Sequence, residues 1–166
     1  IGYNVAMSAN GNKMVIGSPY FDGSSYVSSK NYGSIQILSW GGTSWTQDSS
    51  EGGGGDNYKL GEQVAISGDG KVVAATQNVG LGQIKLYKNG SHYATLRGAN
   101  YSVISGFGMA LSLSGNGRWL ALSGQAVTGQ TNYTPGYIKV INVADGTYSQ
   151  WGADILGPDS TYANLG

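Results

Sequence analysis

Val64-Ala65-Ile66-Ser67-Gly68-Asp69-Gly70-Lys71-Val72-Val73-Ala74-Ala75 is said nearly three times by this chain. Upstream it reads Val5-Ala6-Met7-Ser8-Ala9-Asn10-Gly11-Asn12-Lys13-Met14-Val15-Ile16, and downstream Leu111-Ser112-Leu113-Ser114-Gly115-Asn116-Gly117-Arg118-Trp119-Leu120-Ala121-Leu122. The three align without a gap, so the chain is a repeat protein. Asn-Gly or Asp-Gly between two apolar runs is a strong hairpin signal, because both residues tolerate positive φ. Each copy is therefore predicted to hold a first strand, a tight turn and a return strand.

Working outward, each copy opens on an apolar residue followed by glycine: Ile1-Gly2, Leu60-Gly61 and Phe107-Gly108. The return strands, Met14 to Ile16, Val72 to Ala75 and Trp119 to Leu122, are apolar without alternation, as expected of strands covered on both faces. A third strand follows at Gly33 to Leu38, Gly82 to Tyr87 and Gly136 to Ile141. Its alternation places Gln36, Lys85 and Lys139 at one equivalent position, which predicts a wetter face. A fourth strand is expected at Ser44 to Gln47, His92 to Leu96 and Thr147 to Trp151, each after a glycine-containing turn. Four antiparallel strands per repeat, inner ones covered and outer ones half wet, predict an all-β architecture of three β-propeller blades.

The blades are expected at about 1–59, 60–106 and 107–164, with 165–166 starting a fourth repeat. Propellers typically close with about four to eight blades, so three imply further blades in a larger propeller or in neighbouring chains. The chain starts at Ile1 inside a repeat, which predicts a processed product or a segment of a longer parent.

Composition supports strands. Among 166 residues there are 29 glycines, 12 tyrosines and four tryptophans, with only three prolines. Nine basic and nine acidic residues balance, leaving no electrostatic footprint for nucleic acid. With no cysteine there is no disulfide or thiolate chemistry. No apolar run approaches the about 20 residues that cross a bilayer as a helix, so no membrane insertion is expected.

The aligned copies resemble FG-GAP-type repeats, the blades of integrin-α-like propellers, in the form found in bacterial and algal surface proteins. Phe107-Gly108 matches the opening, Gly17-Ser18-Pro19 the Gly-Ala-Pro that ends the second strand, and Gly33 to Leu38 with Trp45-Thr46-Gln47 the remainder. Thr76-Gln77 and Ser123-Gly124 depart from the Gly-Ala-Pro in the other two copies. No copy carries the family's Asp-x-Asp-x-Asp-Gly calcium loop. Asp22-Gly23 and Asp69-Gly70 supply one carboxylate each, against the six to eight oxygens calcium takes. No cofactor or metal is expected.

Catalytic patterns are equally sparse. His92 is the only histidine, and neither a nucleophile elbow nor a phosphate loop occurs. Asp22, Asp56 and Asp159 are the best carboxylates for an enzyme on this scaffold. The connections that fail to repeat hold tyrosines among Ser, Asn and Gly, so Tyr20, Phe21, Asp22, Tyr26, Tyr32, Tyr101 and Tyr133 are candidate contact residues. Asn89, Asn100 and Asn132 head N-glycosylation sequons. The expectation is a non-enzymatic module for protein or glycan contact or adhesion, at an extracellular, cell or virion surface. Its alternatives are a building block of a surface filament or coat, binding further copies of itself, and a glycan- or ester-acting enzyme.

Overall fold

The computed structural model describes residues 2–23, 30–101, 106–124 and 136–157. These form twelve strands in three four-stranded antiparallel sheets. Sheet I holds β1 (Asn4–Met7), β2 (Lys13–Ser18), β3 (Ser34–Trp40) and β4 (Trp45–Gly52) in that order. Sheet II holds β5 (Val64–Ile66), β6 (Val72–Gln77), β7 (Gln83–Lys88) and β8 (Ser91–Arg97), and a 3-10 turn at Gly98–Tyr101 follows it. Sheet III holds β9 (Ala110–Leu113), β10 (Trp119–Gly124), β11 (Tyr137–Asn142) and β12 (Ile155–Leu156).

The repeated stretch forms the hairpin of each sheet, and the three turns are built alike. Ser8, Ser67 and Ser114 hydroxyls donate to Asn10, Asp69 and Asn116 Oδ1 at 2.8, 2.6 and 2.8 Å. The same oxygens accept the backbone N–H two residues on, from Asn12, Lys71 and Arg118 at 3.0, 3.1 and 3.0 Å. The serine Oγ in turn accepts the N–H of Lys13, Val72 and Trp119 at 3.0, 2.9 and 3.0 Å. This corrects the expected turn type. Gly11, Gly70 and Gly117 take positive φ, but the residue before each does not. A side-chain oxygen closing on its own backbone replaces the second positive φ. Asn89-Gly90, with φ of 52° and 84°, is the turn where the two-residue rule holds.

The sheets stack in series. The β1 hairpin touches the β5 hairpin, and that one the β9 hairpin: Ala9 N–H donates to Gly68 O at 2.9 Å and Asp69 N–H to Gly115 O at 3.2 Å. One apolar cluster joins sheets I and II through Val15, Ile35, Ile37, Val64, Val73 and Tyr87. A second joins sheets II and III through Ala74, Ile84, Leu86, Leu120, Leu122 and Ile141. Among the described residues only sheet II has a neighbour on each side, and β5 and β6 are buried throughout. The first strands of sheets I and III alternate between exposed and half-buried instead. The expectation of inner strands covered on both faces thus holds for the middle copy alone. Backbone contact sets the pitch: Gly33 and Gly82 open β3 and β7 at positive φ, where an added Cβ would collide with the backbone of Leu60 and Phe107.

Two further expectations are corrected. Lys85 and Lys139 do not face water; their side chains are 16% and 6% exposed. They lie in the seams between sheets, Lys85 paired with Glu51 of sheet I and Lys139 with Asp154 at 2.6 Å. The fourth strand of sheet III is not Thr147 to Trp151 but Ile155–Leu156, and Gln150 makes only an isolated bridge to Ile141. The Asp145 carboxylate accepts the N–H groups of Thr147 and Tyr148 at 2.9 and 3.3 Å, and Tyr148 adopts a φ of 52°, which turns the chain before it can pair. The fourth strands of sheets I and II lie near their expected places, each with a bulge opposite the third strand.

Candidate functional site

Described residues line concavities at the ends and faces of the sheets. One, of about 650 Å³, lies on the outer face of sheet I and is lined by Tyr3, Tyr20, Phe21, Asp22, Gln36 and Glu51 among others. Tyr3 and Tyr20 meet edge to face at 5.6 Å between ring centroids, and Lys59 sits 5.8 Å from the Tyr20 ring centre. The structure so brings three of the expected contact residues together, Tyr20, Phe21 and Asp22. The Asp22 carboxylate is turned inward and accepts the N–H of Asn31 at 2.5 Å. Tyr32 is apart from that floor, beneath the Lys30 ammonium at 5.7 Å. Tyr26 and Tyr133 lie outside the described residues, as does the side chain of Tyr101.

A smaller cleft of about 220 Å³ runs between sheets II and III where β5 and β9 begin and β6 ends. One side carries Glu62, Gln63, Thr76, Gln77 and Asn78, and Leu81, Phe107 and Met109 line the other. The fold aims them there because β6 runs on past its apolar residues into Thr76-Gln77, and Gly61 turns the chain so that Glu62 and Gln63 precede β5. Thr76 Oγ1 accepts the N–H of Gln63 at 2.9 Å, and Asn4 Nδ2 donates to Gln63 Oε1 at 2.9 Å, linking the first strands of sheets I and II. The buried side-chain atoms without a hydrogen-bond partner among the described residues are the hydroxyls of Tyr87, Ser123 and Tyr137, and Gln77, only 4% exposed, lines the cleft. Sequence reasoning passed over these residues. Thr76-Gln77 was legible only as a departure from Gly-Ala-Pro.

The third concavity, about 460 Å³, is at the opposite, hairpin-turn end and is lined by Lys71, Lys88, Tyr93, Ala144 and Tyr148 among others. The phenols that burial perturbs lie away from the smaller cleft. Burial pushes the Tyr93 phenol up to about 12, with Tyr148 adding to it. Burial likewise raises Tyr87, beside Glu51, and Tyr137, beside Asp154.

The remaining candidates are dispersed. His92 is exposed on β8 with its Nε2 3.0 Å from Thr95 Oγ1. Asp56 pairs with Lys30 at 3.5 Å, and Asp159 lies outside the described residues. Among the described residues no cluster of three metal-ligating side chains occurs, and no helix is long and apolar enough to cross a membrane. Of the sequons, Asn89 is in the exposed β7–β8 turn and Asn100 is exposed in the 3-10 turn, while Asn132 lies outside the described residues.

No family model matches the chain, and no curated protein matches it. Among solved structures it is similar to two named "putative 6-phosphogluconolactonase". One, from Bacteroides fragilis, has a TM-score of 0.56 at 13% identity over 92% of this chain. The other, from Bacteroides uniformis, has a TM-score of 0.52 at 15% identity, again over 92%. The chain spans 38% and 39% of their respective lengths. These likenesses show a β-propeller-like fold. They also correct the expectation of a contact, adhesion or coat module: both of these structures bear an enzyme's name, and neither name speaks for adhesion.

Proposed function

We propose that the three sheets are successive propeller blades, and that the polar cleft at the inner ends of the second and third takes a small, polyhydroxylated ligand, the chemical class to which sugar lactones belong. The observation that carries this is the convergence of Glu62, Gln63, Gln77 and Asn78, four side chains with hydrogen-bonding groups, on one cleft. Carboxamides suit hydroxylated ligands because each offers a donor and an acceptor. The cleft is smaller than the about 300 Å³ at which ordinary ligand pockets begin, which limits it to a ligand of one ring. The triplicated, FG-GAP-like sequence pattern supports the blade reading, and the names of the two similar structures agree with the ligand class.

Titration with glucono-1,5-lactone and with gluconate, followed by NMR of side-chain amides, tests this. Shifts confined to Gln63, Gln77 and Asn78, weakened about tenfold in Gln77→Leu by the loss of one well-made hydrogen bond, are expected. Absence of any shift there at tens of millimolar ligand overturns it. Among the described residues Glu62 is the one carboxylate at the cleft, so lactone opening assayed with and without Glu62→Gln tells turnover from binding.

A further inference from the structure

At the hairpin-turn end, matching positions of sheets I and II carry different chemistry. The fourth strand of each bulges opposite the third, at Asp48 in sheet I and at Tyr93 in sheet II. A bulge re-aims the side chain it carries. In sheet I the Asp48 carboxylate accepts from the Lys13 ammonium and the Ser39 hydroxyl, both at 2.6 Å. Lys13 and Ser39 are cross-strand partners, and the matching partners in sheet II are Val72 and Lys88. Sheet II thus has a tyrosine in place of the carboxylate, a valine in place of the lysine and a lysine in place of the serine. Among the described residues no carboxylate lies within ion-pair distance of Lys88.

The substitution leaves room as well as charge. An added Cβ on Gly70 would collide with Lys13, and one on Gly117 with Val72, so the two side chains lie against the next sheet's turn in the same way. Val72 is too short to go on toward the fourth strand. Beside it the concavity of about 460 Å³ opens between sheets II and III, its lining a mixture of buried Val72 and Val143, half-buried Tyr93 and Tyr148, and the lysines Lys71 and Lys88. Asp69 is the one carboxylate there among the described residues, and its own turn holds it: it accepts the Ser67 hydroxyl and the Lys71 N–H and lies 3.9 Å from Lys71 Nζ.

Both rings are fixed. The Tyr93 hydroxyl donates across the seam to Val143 O at 3.2 Å. Tyr148 is held at a φ of 52° by Asp145, which accepts the Thr147 N–H, the Thr147 hydroxyl and the Tyr148 N–H at 2.9, 2.8 and 3.3 Å. A tyrosine in that region is strained, and such strain persists only where the surroundings impose it. The turn that displaces the expected fourth strand therefore sets a ring at the concavity. Every described segment begins and ends at the far end of the sheets, where second strands stop and third strands start, so the concavity is built within two described sheets.

We propose that this concavity binds a small aromatic carboxylate, its ring against Tyr93 and Tyr148 and its anion on Lys88. Valines and tyrosines favour a flat apolar ring over a polyhydroxylated one, and a single unanswered ammonium suits a singly charged anion. The volume lies within the about 300–1,000 Å³ of small-molecule pockets. The site is separate from the polar cleft, takes a different ligand class and stands without it.

Titration of the protein with benzoate, followed by NMR of backbone and side-chain amides, tests it, with benzyl alcohol lacking the charge and acetate lacking the ring. Saturable shifts around Tyr93, Gly117 and Tyr148 are expected. Lys88 is exposed at the end of β7, so Lys88→Gln leaves the fold intact, and it should weaken benzoate about tenfold by the loss of one charged hydrogen bond. Benzyl alcohol and acetate should each bind at least about tenfold more weakly than benzoate. Shifts confined to the Gln63 and Gln77 amides, no shift at tens of millimolar benzoate, equal binding by Lys88→Gln, or equal binding of either other probe overturns it.

Discussion

Asp69 shows what a single residue does here. Its two counterparts, Asn10 and Asn116, make the same bonds in the same turn. The geometry asks for an acceptor oxygen, and charge is incidental to it. The bond from the Ser67 hydroxyl, then that from the Lys71 N–H, holds the Asp69 carboxyl below the usual carboxylate range. A lowered folded pKa contributes stability above the unfolded value of about 3.9 and loses it as pH falls through the folded one. Asp69→Asn should therefore stay within about 1 kcal/mol of the parent at neutral pH. In acid below about pH 4 the parent alone should lose this contribution, so that the gap closes or reverses. Urea unfolding at neutral and acid pH checks it, and an identical pH dependence in both proteins contradicts it. The turn's position was legible in the sequence because Gly follows Asn or Asp three times. Its type was not, since nothing local tells a second positive φ from a side-chain oxygen.

At the scale of strands, alternation named the right residues and gave them the wrong surroundings. Gln36, Lys85 and Lys139 do share a face, but that face is the backward one and is covered in sheets II and III. A lysine between two aliphatics looks the same in sequence whether water or a carboxylate answers it, because the carboxylates, Glu51 and Asp154, lie on strands or turns distant along the chain. For the same reason the last strand was misplaced: Asp145 turns the chain where Thr147 to Trp151 was expected to pair. Lys139 is the strictest case. Its ammonium is bonded to both Asp154 oxygens at 2.6 and 2.7 Å and to Gln150 Oε1 at 3.3 Å. Asp154→Asn should cost about 3 kcal/mol by leaving that charge buried, whereas Lys139→Met should cost markedly less. Chemical denaturation compares them, and equal losses would show that Lys139 is better hydrated than its burial implies.

At the scale of the molecule, the series of sheets was plain from three aligned copies, and the polar cleft was not. Glu62, Gln63, Thr76 and Gln77 come from segments that read separately as a strand entry and a strand exit. Only their convergence between two sheets makes a site. The proposed ligand site was the least legible because it is formed by strand ends that differ between copies by only one or two side chains. What organises the whole is serial stacking: among the described residues sheet II is packed on both faces, and sheets I and III each pack one face on it. Amide hydrogen exchange tests that most directly. The account predicts that β5 and β6 exchange markedly more slowly than β1 and β9. Protection of β1 and β9 equal to that of β5 would contradict it.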